Sequence, residues 1–193
     1  MLKQIPRLCM LLTIPLTLQL FFFPLWQITL EAPQYPEGIT MYIWINKITG
    51  SSEFTLQNIN ILNHYIGMKY IEPDSIPELT YFPYVIGFLV FLEIIAVIIR
   101  NKWFYLGIGA LVFAMACLGL YDFYLWEYDY GHNLDPNAPI KVPGMVYQPP
   151  LIGSKMLLNF NAISLPATGG YLFLLGNVFG FLSFVTYPLK KRK

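Results

Sequence analysis

Four long apolar stretches, separated by two polar and proline-bearing ones, organise this chain. The apolar stretches run from about Leu8 to Leu30, Phe82 to Ile99, Trp103 to Trp126 and Thr168 to Tyr187. A helix that crosses a hydrocarbon core about 30 Å thick needs roughly 20 mostly apolar residues, because each residue rises about 1.5 Å. The pattern therefore predicts four transmembrane helices. The first stretch opens like a secretory signal, with Lys3 and Arg7 ahead of an apolar run. It is long, however, contains Pro15 and Pro24, and ends in Pro24-Leu25-Trp26-Gln27 with no small-x-small cleavage motif, so it reads as an uncleaved anchor.

The intervening stretches cover about 31–81 and 128–167. In the first, Ile39 to Asn46 is rich in β-branched and aromatic residues and predicts a strand. Thr49 to Ser52 is a turn, after which Glu53 to Leu56 is expected to pair back. Leu56 to Met68 predicts a helix with Leu56, Ile59, Leu62, Asn63 and Ile66 on one face. Pro73 and Pro77 end regular structure. The second stretch carries Pro136, Pro139, Pro143, Pro149, Pro150 and Pro166, which argues against a helix or a central strand. Its apolar residues, among them Ile140, Val142, Val146 and Leu151, still demand burial. An ordered extended segment packed on the first loop or across the helix ends meets both conditions. The expected fold is an all-α membrane protein: one integral domain over 1–193, four spans, and two outer loops forming a small mixed ectodomain.

Charge sets the expected orientation. Lys3 and Arg7 precede the first span, Arg100 and Lys102 flank the short turn between the second and third, and Lys190, Lys191, Arg192 and Lys193 close the chain. With four spans these clusters share one side. The positive-inside rule then puts both termini in the cytoplasm (N-in/C-in) and both loops outside. Composition agrees with a bilayer setting: 56% of residues are hydrophobic and 12% charged, against about 25% charged in soluble domains. Cys9 and Cys117 lie in apolar runs with no CxxC motif, which excludes a four-helix thiol oxidoreductase. No Walker loop, nucleophile elbow or nucleic-acid surface is present, so neither an enzyme nor a nucleic-acid partner is expected.

Candidate chemistry collects in the loops. Both histidines, His64 and His132, lie there with Met41, Met68, Met145 and Met156. His64 and Met68 form H-x-x-x-M, which on a helix places both side chains on one face. Imidazole with thioether is a soft donor set that suits Cu(I) better than zinc, calcium or magnesium. His132 and Met145 complete such a site from the second loop. The plainer alternative is that the methionines are core and that His64 hydrogen-bonds a carbonyl. Glu127, Asp129 and Asp135 cluster around His132, where carboxylates can orient a ligating imidazole. They read equally as a solvated acidic rim, with Asp135-Pro136 starting a turn. Within the spans, Glu93 is an intramembrane carboxylate, a kind often functional, or else a neutral or hydrogen-bonded group in the bundle. Asp122 lies near the outer interface.

The segments Leu62-Asn63-His64-Tyr65-Ile66-Gly67-Met68, Tyr130-Gly131-His132-Asn133-Leu134-Asp135-Pro136 and Val142-Pro143-Gly144-Met145 resemble those of a small membrane protein family. So do Tyr147-Gln148-Pro149-Pro150-Leu151-Ile152-Gly153 and Glu31-Ala32-Pro33-Gln34-Tyr35-Pro36-Glu37-Gly38. Some bacteria encode that family beside nitrous oxide reductase and its copper-site maturation genes. The resemblance implies a multi-pass accessory protein of the bacterial inner membrane that supports assembly, copper supply or electron supply of a periplasmic copper enzyme. The lipid bilayer and that enzyme or its maturation proteins are the expected partners, and Cu(I) the expected metal, at His64, Met68, His132 and Met145. The alternatives are a metal-free scaffold that docks partner proteins and a subunit of a membrane redox or transport complex built around Glu93.

Overall fold

Trp26-Gln27-Ile28-Thr29-Leu30-Glu31-Ala32 alternates large apolar and polar side chains, a period of two that a strand satisfies and a helix does not. In the computed structural model, which describes residues 4–188, this segment is a strand at the centre of a sheet. Helix α1 (Ile5–Leu18) continues as a 3-10 turn to Phe21 and ends before Pro24. Strands β1 (Trp26–Ala32), β2 (Tyr35–Ile43) and β3 (Ile48–Gly50) follow, then helix α2 (Thr55–Ile66). Long helices α3 (Glu78–Ile99) and α4 (Lys102–His132) come next. Strands β4 (Gly153–Leu157) and β5 (Phe160–Pro166) lead into α5 (Thr168–Val185).

The expected all-α, four-span fold is therefore corrected. The protein is mixed α/β, with a five-stranded antiparallel sheet of order β3-β2-β1-β5-β4. Among the described residues three helices, α3, α4 and α5, are long and apolar enough to cross a membrane. The stretch from Leu8 to Leu30 fails as a span because the helix stops at Phe21 and the last five residues, from Trp26, belong to β1; hydropathy cannot distinguish a buried central strand from the end of an apolar helix. The helical part, Ile5–Phe21, is a shorter apolar helix. The strand expected at Ile39–Asn46 is β2, but the chain pairs back at Ile48–Gly50, earlier than expected. Prolines keep residues 133–152 out of helix and strand, while β4 and β5 after them went unforeseen.

The sheet and the bundle are joined at one place. Leu25 N–H donates to Ile43 O (2.8 Å), Ala167 N–H to Leu25 O (3.1 Å) and Gly169 N–H to Pro24 O (2.9 Å). The passage from α1 into β1 is thus clamped against the passage from β5 into α5, and Gln19 Nε2 adds a bond to Gly169 O (2.9 Å). Within the bundle α5 packs against α1 and α4, and α1 against α3, around Met10, Leu89, Ala96, Tyr105, Ile108 and Phe173. At the far end, Tyr187 Oη donates to Arg100 O (2.6 Å), and Lys102 Nζ sits 4.6 Å from the Phe184 ring centre. Arg100 and Lys102 therefore stand together with the end of α5, opposite the sheet. Lys3 and Lys190–Lys193 of the basic clusters lie outside the described residues.

Helix α4 has 31 residues and so a length of about 46 Å, well beyond the roughly 30 Å of a hydrocarbon core. Aromatic residues mark two levels on it, Trp103 near its start and Tyr121, Tyr124 and Trp126 further on, as at membrane interfaces. Its last turns exceed the length a span needs and pack into the sheet unit. There Tyr130 packs with Trp26, Ile28, Ile39 and Met41 of the sheet and Ile59 of α2. Tyr147 N–H donates to Gly131 O (3.0 Å), bringing the proline-rich segment directly onto α4. A Cβ at position 131 would lie 2.3 Å from Gln148 N and Cα, whereas nothing lies within 4 Å of one at Gly119 in the same helix. Gly131→Ala is expected to destabilise the protein by about 1–3 kcal/mol through overpacking, and Gly119→Ala to be neutral or slightly stabilising. Thermal melts of the two variants in micelles check the contrast, which equal melting temperatures would contradict.

Candidate functional site

Helix α2 ends because Gly67 takes φ +80°, a left-handed cap for which glycine carries no Cβ penalty, and Met68 N–H closes back onto Asn63 O (2.9 Å). Met68 consequently lies beyond the helix, and the shared helical face expected for His64 and Met68 does not exist. His64 is exposed and stacks parallel to Tyr70. Met68 turns into the apolar cluster under the sheet.

The end of α2 meets the segment that follows α4. Asp135 N–H donates to Gly67 O (2.8 Å) and Ile140 N–H to Tyr65 O (2.9 Å). Lys69 pairs with Asp129 at 2.6 Å. The two loops are thus packed together, and both histidines occupy exposed positions on this part of the surface. His132 stacks on Tyr128, and its Nδ1 lies 2.9 Å from Tyr128 O. Neither carboxylate expected to orient it does so. Asp129 accepts from Lys69 and from Asn133, which holds its charged form, so its carboxyl is anchored elsewhere. Asp135 Oδ1 accepts from Asn137 N–H (2.8 Å), a local turn. Met145 is half-buried within the irregular segment. Among the described residues no group of three or more His, Cys, Asp and Glu side chains is placed to hold a metal ion.

Beneath this surface lies a cavity of about 70 Å³ between the sheet, α2 and the projecting end of α4. Its walls are mostly apolar: Ile28, Leu30, Ile59, Leu62, Ile71, Trp126 and Phe160 contribute. Met41, Met68, Asn63, Tyr147 and Glu127 line it too. Glu127 is fully buried, and neither carboxylate oxygen has a hydrogen-bond partner; the Tyr147 hydroxyl is buried and unpartnered as well. Glu127 is thus neither an orienting partner of His132 nor part of a solvated acidic rim, the two roles its sequence setting suggests. The signal missed is the run Phe123, Trp126 and Tyr130 at helical spacing, which carries an inward face past the end of the expected span.

Inside the bundle Glu93 is buried on α3, and Thr17 Oγ1 of α1 donates to its Oε1 (2.9 Å). Its Oε2 has no partner, nor has Asn177 Oδ1, and both residues line a cavity of about 10 Å³, about the least space that holds one water. Asp122 is half-buried on α4. No protein-family model and no curated protein matches the chain.

The Thr17–Glu93 bond generates a double-mutant test. Thr17→Val strips the donor from a buried carboxylate oxygen and is expected to cost about 1–3 kcal/mol. In a Glu93→Leu background the same change should cost little. Equal costs in both backgrounds, measured by unfolding in micelles, would show that the two side chains are not coupled.

Proposed function

We propose that this chain is an accessory protein of the bacterial inner membrane that supports assembly of, or copper or electron supply to, a periplasmic copper enzyme such as nitrous oxide reductase. The basic end with Arg100 and Lys102 faces the cytoplasm, as the positive-inside rule requires, and the sheet stands in the periplasm. One observation carries the reading. The segments 62–68 and 130–136, which resemble the family found beside nitrous oxide reductase, are the ones joined by the Asp135–Gly67 backbone bond. They carry His64 and His132, each at an exposed position. Imidazoles so displayed can take up Cu(I) transiently and pass it on.

A second reading has its own support. Tyr65, Tyr70, Tyr128 and Ile140 are exposed near the histidines, and exposed aromatic side chains are typical of protein docking surfaces. On that reading the surface holds a partner without metal.

Deleting the chain from a host that makes nitrous oxide reductase is expected to lower the copper content and activity of the enzyme. Wild type should restore both, and a His64→Ala/His132→Ala double variant should not. A fully copper-loaded enzyme in the deletion strain would overturn the accessory role. Full restoration by the double variant would leave the scaffold reading in place of the copper one.

A further inference from the structure

We infer that the cavity around Glu127 is a binding site for one soft monovalent cation of the Cu(I) class, held by the Glu127 carboxylate with the thioethers of Met41 and Met68. A carboxylate offers acceptors only, and burying one without a donor or a positive charge costs several kcal/mol in order of magnitude. Glu127 is 0% exposed and both of its oxygens are unpartnered. No Lys, Arg or His lines the cavity. Burial by itself favours the neutral acid, and a cation that displaces that proton supplies the positive charge instead.

The remaining heteroatoms in the walls identify that ligand. They are two thioether sulfurs, the Tyr130 and Tyr147 hydroxyls, the Trp126 indole N–H and the Asn63 amide. Asn63 Nδ2 already donates to Lys69 O (3.2 Å) and Tyr130 Oη to Tyr70 O (3.0 Å), whereas the Tyr147 hydroxyl is free to hydrogen-bond a carboxylate oxygen that the ion leaves open. Thioethers select soft ions and are poor ligands for calcium, magnesium or zinc. Charge decides the valence. One carboxylate and one monovalent ion leave a nearly dry cavity neutral, while a divalent ion would leave it positive. Size agrees: about 70 Å³ is several times the least space that holds one water, ample for a bare ion. Met68 sits just past the Gly67 cap, and methionine's unbranched side chain adapts readily to such a site.

For copper as the ion met in the cell, the inference rests on the function proposed above; for the class of ion, it rests on the cavity alone. It shares no ligand with the exposed imidazoles of His64 and His132. The test uses the full chain in micelles, anaerobic and reduced, in competition with a chromophoric Cu(I) chelator. Ag(I) serves as the redox-inert stand-in. Wild type should bind one equivalent. Glu127→Gln, and Met41→Leu with Met68→Leu, keep the volume and should weaken binding at least about tenfold. The His64→Ala/His132→Ala variant should retain it.

No binding by wild type, or unchanged binding in both cavity variants, overturns the site. Copper-edge X-ray absorption of the loaded wild type needs no variant: sulfur scatterers are expected, and a first shell of imidazole alone overturns the site. The two proposals fail separately. Cavity binding with normal enzyme maturation in the deletion strain removes the cellular role and leaves the site. Defective maturation without a cavity ion does the reverse.

Discussion

The antiparallel ladder between β1 and β5 is the interaction on which the rest of this architecture depends. Six residue pairs, from Trp26–Pro166 to Glu31–Asn161, hold the two strands in register. At the bundle end of that ladder the chain runs into α1 on one side and α5 on the other. Backbone bonds at Pro24, Leu25, Ala167 and Gly169 fix the crossing. A central strand leaves no unpaired edge of its own, so β1 is satisfied on both sides, by β2 and by β5. Trp26 adds a side-chain lock, its Nε1 donating to Ser164 Oγ (2.8 Å), which itself donates to Leu151 O (3.1 Å). The sheet is thereby a rigid continuation of the bundle, with no linker between them.

That continuity places the candidate chemistry. Because α4 is longer than a span needs, it delivers Glu127 and Tyr130 beneath the sheet face carrying Ile28 and Met41. Because α2 stops at Gly67, Met68 turns inward and His64 stays outside. The same short region therefore offers exposed histidines and an apolar-lined cavity with a carboxylate. The ion pair of Lys69 with Asp129 is largely exposed and contributes little stability by itself. The backbone bonds of Asp135 and Ile140 and the close approach of Gln148 to Gly131 do more to fasten the segment.

Much of this was legible in the sequence, and the gaps have physical reasons. Helices α3, α4 and α5 are announced by length and apolarity, since nothing else buries so many large side chains without charge. Strand β2 and the apolar face of α2 follow from their periodicities, and Ile59 and Asn63 are buried as expected. Strand β1 was hidden because Pro24 sits inside an unbroken apolar run, and only the alternation of Gln27, Thr29 and Glu31 betrays it. Strands β4 and β5 were obscured by the prolines ahead of them, although Pro166 ends β5 where a missing amide is harmless. At the site, residue types drew attention to the histidines. Burial of Glu127 depends on strands paired across more than a hundred residues, which local pattern does not encode.

The central claim is that the end of the first apolar stretch, from Trp26, is a sheet strand, so that the sheet rather than a fourth long span builds the unit at one end of the bundle and its cavity. Thr29 faces Thr40 across β1 and β2, with their hydroxyl oxygens 2.8 Å apart, within reach of a disulfide if both are cysteine. Native Cys9 and Cys117 are free thiols on α1 and α4 and can be removed beforehand. The direct measurement is the mobility and mass of a Thr29→Cys/Thr40→Cys variant oxidised in membranes. The account predicts a near-complete intramolecular cross-link. A cysteine at 29 that neither cross-links nor reacts with a membrane-impermeant maleimide from either side would place that residue in lipid and contradict it.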